Sequence, residues 1–152
     1  MAKPAKNRNN ALAMVDPKGR VVVPAGVREH IEAIQRASLR SGRPGRLFMT
    51  AITDPCVVVY PQCEWEKITG QFRDMDMADP ANRAVVRLIM GLAEAVEVQA
   101  SGRVVIPGVL MTHAGIKDKA LFIKMPRGFE IWDPDQYQQH ISKVQLPPGL
   151  KL

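Results

Sequence analysis

Short β-branched runs alternate with stretches of helical spacing along the chain, and proline or glycine marks nearly every change. Residues 11–15 read as a short strand, and Arg20-Val21-Val22-Val23, bounded by Pro24, reads as a second. Between them Asp16-Pro17-Lys18-Gly19 has the residues of a type I turn, with Asp first, Pro second and Gly fourth, so the two strands are expected to close a hairpin. Pro24 can stand in the first turn of a helix, where its missing N–H costs nothing, and Val27, Ile31 and Ile34 then share one face. A second hairpin is expected from 47–52 and 57–60, turned by Thr53-Asp54-Pro55. Pro61 opens a helix carrying Trp65, Ile68 and Phe72, and Asp79-Pro80 starts another, amphipathic through Val85, Leu88, Ile89 and Leu92.

The same order then returns. A strand at 94–98, a turn at 99–102, a strand at 103–106, a short helix from Pro107, a hairpin over 120–132 and a helix from Asp133-Pro134 follow one another. The tract DPKGRVVVP at 16–24 recurs as QASGRVVIP at 99–107, and His30 falls on His113 at the same offset. Further on, the segment from Leu47 resembles the segment from Leu121 at a smaller offset, so the first copy holds an insertion, placed at the arginine-rich loop 36–46. The fold class is therefore α+β, built from two ββαββα units that share strands in one β-barrel-like core with peripheral helices. The expected division is a basic arm at 1–9, a first unit at 10–79, a bridging helix at 80–93, a second unit at 94–144 and a Pro- and Gly-rich tail at 145–152. Sharing of strands should bring both Gly-Arg turns to one side.

Charge sharpens this picture. The net charge is +6, yet residues 1–46 hold ten Lys or Arg against three acids, residues 47–98 four against eight, and residues 99–152 seven against four. Both repeats thus begin in basic territory, which suits a polyanionic partner. No apolar stretch approaches the roughly 20 residues of a membrane span, and the first ten residues are polar and basic, so the chain reads as cytoplasmic.

Candidate chemistry gathers at the turns. Arg20 and Arg103 stand just past them, and a guanidinium held by a rigid turn suits guanine edges or phosphate because its donors form a planar fork. Asp16, four residues before Arg20, is close enough to orient the guanidinium or to bond the turn backbone. Gly19 and Gly102 form the turns; Lys18 and Ser101 sit near their tips.

These residues carry a family resemblance. The chain resembles the MraZ transcriptional regulators, built from two SpoVT/AbrB-like units, each marked by a D-x-x-x-R signature. The first signature is Asp16-Pro17-Lys18-Gly19-Arg20, followed by VVVP and Arg28. Similar segments are CVVVYPQCEWEKI at 56–68, NRAVVRLIMGLAEAVEV at 82–98, SGRVVIP at 101–107, HAGI at 113–116 and GFEIWD at 128–133. The resemblance implies a DNA-binding protein that represses the division and cell wall operon, acts at the nucleoid, and binds repeated operator sites on double-stranded DNA as a ring-shaped homo-oligomer. It implies direct contacts from Arg20 and Arg103, a neighbouring contact from Lys18, and Asp16 as the orienting partner; Arg8, Arg28 and Ser101 are candidates for additional contacts, although the longer basic arm that carries Arg8 departs from the family's usual short start. The second signature departs from the pattern, since Gln99 stands where the acid belongs; Glu97 is the nearest carboxylate that could replace it.

Other residues read more plainly. His30 and His113 lack neighbours at metal-ligand spacing and are expected to pack or cap. Cys56 and Cys63 are expected to be ordinary thiols, neither bridged nor zinc-bound, and Trp65 and Trp132 to be core or interface anchors. Arg36, Arg40, Arg43 and Arg46 fit either a charged loop or a nucleic-acid groove. No nucleophile–base pair, phosphate-cradling glycine loop or metal cluster stands out, so the sequence points to a protein without cofactor or catalysis. The competing class is an assembly or adaptor protein whose basic face is incidental.

Overall fold

The computed structural model describes residues 9–38 and 46–152, so Arg8, Arg40, Arg43 and most of the expected arm lie outside the described residues. The described chain runs β1 (Asn10–Met14), β2 (Arg20–Val22), α1 (Ala25–Ala37), β3 (Leu47–Ala51), β4 (Val57–Pro61), α2 (Gln62–Phe72), α3 (Pro80–Leu92), β5 (Glu94–Val96), β6 (Arg103–Val105), α4 (Gly108–Ala114), β7 (Lys119–Met125), β8 (Gly128–Trp132) and α5 (Pro134–Ile141). Each helix begins where the sequence pattern puts it. Pro24, Pro61 and Pro107 stand just before α1, α2 and α4. The Asp79 side chain accepts from the Ala81 N–H and the Asp133 side chain from the Gln136 N–H, which satisfies donors that the first turn of a helix leaves open.

Strand pairing differs from expectation in one respect. After its turn, β2 does not run back along β1; a single bridge, Val15 to Val21, links the two. Instead β1 pairs antiparallel with β7, and β2 pairs antiparallel with β6. Both partners belong to the other repeat: a tight turn fixes only its own few hydrogen bonds, and the edges of β1 and β2 take their ladder bonds from the second copy, with buried Val21 paired to buried Val104. The same exchange joins β5 to β3 and β4 to β8, giving one six-stranded sheet in the order β1-β7-β8-β4-β3-β5 and a separate ribbon β2-β6.

The shared α+β core follows from this exchange. Val21 and Val104 from the ribbon, Met49 and Val59 from the first unit, and Phe122, Phe129 and Leu110 from the second form one buried cluster. A second cluster, Cys56, Val58 and Trp132, lies on the other side of β4, so that strand is covered on both faces. Thr50, fully buried, donates its hydroxyl to the Ile89 carbonyl at 2.5 Å and ties α3 to β3. Trp65 is buried, and Trp132 packs edge-on against Tyr137 of α5. Burial pushes the Cys56 thiol well up, which leaves it protonated and unreactive at neutral pH.

The histidines complete the cross-linking. His30 Nε2 lies 2.7 Å from the Met125 carbonyl, and His113 Nε2 lies 3.0 Å from the Asp54 carbonyl. Each histidine thus reaches from its own unit to a hairpin end of the other. Among the described residues no group of three or more His, Cys, Asp or Glu is placed to hold a metal ion, and no helix is long and apolar enough to cross a membrane.

Candidate nucleic-acid interface

The two glycine–arginine turns are built alike. In the first, the Gly19 N–H donates to the Asp16 carbonyl at 2.9 Å and the Asp16 N–H donates to the Arg20 carbonyl at 3.0 Å. In the second, the Gly102 N–H donates to the Gln99 carbonyl at 2.8 Å and the Gln99 N–H donates to the Arg103 carbonyl at 2.9 Å. Gly19 and Gly102 have φ of +81° and +84°, a left-handed conformation that residues with a Cβ rarely adopt.

Each turn is also held by the opposite repeat. The Ile106 N–H donates to the Gly19 carbonyl at 2.8 Å, and the Val23 N–H donates to the Gly102 carbonyl at 2.8 Å. The side of Gly19 faces the Ile106 carbonyl and Met111 of α4; the side of Gly102 faces the guanidinium of Arg28 from α1. The turns therefore sit at opposite ends of the β2-β6 ribbon rather than side by side, about 14 Å apart at the rise of an extended strand.

Register then decides which side chains face out. Arg20 stands opposite Val105, Val21 opposite Val104, and Val22 opposite Arg103. Val21 and Val104 are buried in the core, so the alternation of a strand sends Arg20, Val22, Arg103 and Val105 to the opposite, outer face. Both sequence-predicted arginines thus share one surface, with the exposed Lys18 near one end and the exposed Ser101 near the other. A two-stranded ribbon is one of the shapes that the major groove of DNA admits.

The two ends are unequal. One oxygen of the Asp16 carboxylate accepts from the Lys18 and Arg20 backbone N–H groups, both at 2.9 Å, and the other accepts from Arg20 Nε at 2.5 Å. Arg103 Nε has only the neutral Gln99 Oε1 at 3.3 Å. Among the described residues no carboxylate lies within ion-pair distance of Arg103. Glu97 does not stand in for the missing acid; with Arg28, Glu32, Arg46 and Gln99 it lines a cavity of about 480 Å³ beside the second turn. Arg28 is half-buried there, and its enclosed Nε has no hydrogen-bond partner among the described residues.

The backbone N–H of Arg20, above all, holds the Asp16 carboxyl below its ordinary value of 3.8, helped by the Arg20 side chain and the Lys18 N–H. A lowered value in the folded state means that the carboxylate supports the turn throughout the neutral range and stops doing so as pH falls through the lowered value. Titration of the Asp16 carboxyl by NMR will therefore give a midpoint below 3.8. In Arg20→Ala that midpoint will rise only part of the way, because the backbone donors remain; a full return would show the guanidinium to be the main cause.

The sequence pattern did not single out Val22 and Val105 as surface residues, nor Met111 and Arg28 as packing partners of the turns. Period-two alternation carried the first signal, but a run of valines hides which members point outward. The second contact joins residues distant in the chain and leaves no local trace.

The geometry is matched by likeness to known proteins. A family profile described as "MraZ protein, putative antitoxin-like" matches residues 9–88 and again 89–148, so each match holds one glycine–arginine turn. A protein of Coxiella burnetii (strain Dugway 5J108-111) named "Transcriptional regulator MraZ" is 34% identical over 139 residues, covering 89% of this chain and 86% of that one. Proteins of the same name from Tolumonas auensis, 31% identical with 93% and 88% covered, and Shewanella piezotolerans, 29% identical with 87% and 82% covered, are similar along nearly the whole length. With both repeats matched in order, the chain belongs to the MraZ family.

Proposed function

We propose that this chain is a sequence-specific DNA-binding transcriptional regulator that sets its β2-β6 ribbon into the major groove. The observation that carries the reading is that two arginines from separate repeats share one exposed face of a ribbon whose other face is locked into the core. Arg20 and Arg103 then read base edges, Lys18 and Ser101 reach neighbouring phosphates, and Asp16 orients Arg20. Arg28 and Arg8 add positive charge around the second turn and the arm. The name of the relatives, transcriptional regulator, supports this role.

The family resemblance extends the proposal to repression of the division and cell wall operon, at the nucleoid, by a ring of chains on repeated sites. Leu12 and Met14, 57% and 64% exposed on the edge strand β1, support association with another copy. Linked chains gain affinity through effective concentration, which suits a unit with few base contacts. The proposed units are 10–79 and 94–144, joined by a bridging helix at 80–93, with an arm at 1–9 and a tail at 145–152.

The test is a gel-shift titration of the full chain on the duplex immediately upstream of its own gene, repeated across a range of salt. Binding will weaken with a slope of about −0.9 in log affinity against log salt for each phosphate neutralised. Salt-independent association, or none with this duplex or with DNA pooled at random, would leave the assembly or adaptor reading in its place.

A further inference from the structure

Two valines on the outer face of the ribbon are exposed among the described residues. Val22 is 51% exposed and Val105 is 44% exposed, whereas their strand neighbours Val21 and Val104 are almost fully enclosed. The register makes the face a checkerboard, with Arg20 opposite Val105 and Val22 opposite Arg103. The two valines occupy equivalent places in the repeat, so the pattern is Arg-x-Val twice, antiparallel to itself.

Strand propensity alone does not account for them, because threonine serves an exposed strand position without leaving a second methyl in water. Nor does a second copy of the same face fit, since it would set Arg20 and Arg103 against arginines of like charge. The occupant must be anionic and must offer both hydrogen-bond acceptors and apolar groups at the spacing of a strand. The floor of the major groove does so: guanine presents O6 and N7, and thymine presents a C5 methyl.

We propose that Val22 and Val105 are specificity residues that pack on thymine C5 methyl groups beside the bases read by Arg20 and Arg103. The inference rests on the DNA-binding reading above and deepens it, from a basic ribbon to one that selects thymine next to guanine.

Replacing thymine by uracil removes the methyl and leaves the base-pairing edge intact, so two versions of the upstream duplex, made with thymidine or deoxyuridine triphosphate, test the contact directly. The full wild-type chain will bind the uracil duplex about four-fold more weakly for each contacted methyl, the value of burying one such group. The double variant V22A/V105A will bind the thymine duplex about as weakly as wild type binds uracil, and will no longer distinguish the two. V22S/V105S, which removes both γ-methyls of each valine and leaves a polar hydroxyl, serves if the alanine pair melts early; it will lose most of the discrimination. Equal wild-type affinity for both duplexes overturns the methyl contact while leaving DNA binding intact. Uracil sensitivity that persists in the double variants also overturns it, by tracing the loss to duplex shape. Failure of wild type to bind either duplex instead removes the DNA-binding reading beneath it.

Discussion

Arg20→Ala will lower binding to the upstream duplex beyond detection in a gel-shift titration, while the variant keeps its thermal midpoint and its oligomeric state by size-exclusion chromatography. The Arg20 side chain is 42% exposed, and among the described residues its polar contact is with Asp16 at the surface, so its removal opens no cavity and strands no buried group. A good bidentate contact to guanine is worth about 1–3 kcal/mol, or roughly 5- to 150-fold, and in an assembly that engages repeated sites this loss is multiplied over chains. Unchanged affinity would remove Arg20 from the interface.

The same substitution at Arg103 should cost less. Asp16 fixes Arg20 through a charged contact and shapes the turn through two backbone bonds, whereas Gln99 offers Arg103 a single long, neutral one. A guanidinium that is not held in place spends more of its binding energy on becoming ordered. Gln99→Asp is the natural companion variant, since it rebuilds the acid of the first turn and should tighten binding through Arg103. An equal or larger loss from Arg103→Ala would reverse the ranking of the two ends.

Local chemistry explains what the sequence disclosed. Proline before α1, α2 and α4, and aspartate before α3 and α5, mark helix starts because the first turn needs no N–H from proline and gains an acceptor from aspartate. Asp16-Pro17-Lys18-Gly19 likewise disclosed its turn and the reach of Asp16 to Arg20, both of which join residues no more than four positions apart. What stayed hidden was partnership. Alternation in β1 and β2 tells which side of a strand is apolar but not which strand lies beside it, and the true neighbours are β7 and β6. For the same reason the sequence suggested two paired turns without showing that Met111 and Arg28 would pack on them from the opposite repeats.

That crossed packing predicts an unequal response to the smallest possible change at the two turn glycines. A Cβ at Gly19 would lie 2.5 Å from the Ile106 carbonyl oxygen and 3.1 Å from Met111 Sδ. The carbonyl cannot withdraw without breaking the β2-β6 ribbon, because the Ile106 N–H is itself bonded to Gly19. A Cβ at Gly102 would instead meet the guanidinium of Arg28 at 2.9 Å, the far end of a flexible side chain beside an open cavity. Both glycines pay for positive φ, at about 1–3 kcal/mol each when a Cβ is added. Only Gly19 adds the overpacking of fixed backbone, another 1–3 kcal/mol or so. Urea denaturation will therefore show Gly19→Ala to be less stable than Gly102→Ala by about 1–3 kcal/mol. If Gly102→Ala proves equally costly, Arg28 is held as rigidly as backbone, and the second turn is as firmly built as the first despite its missing acid.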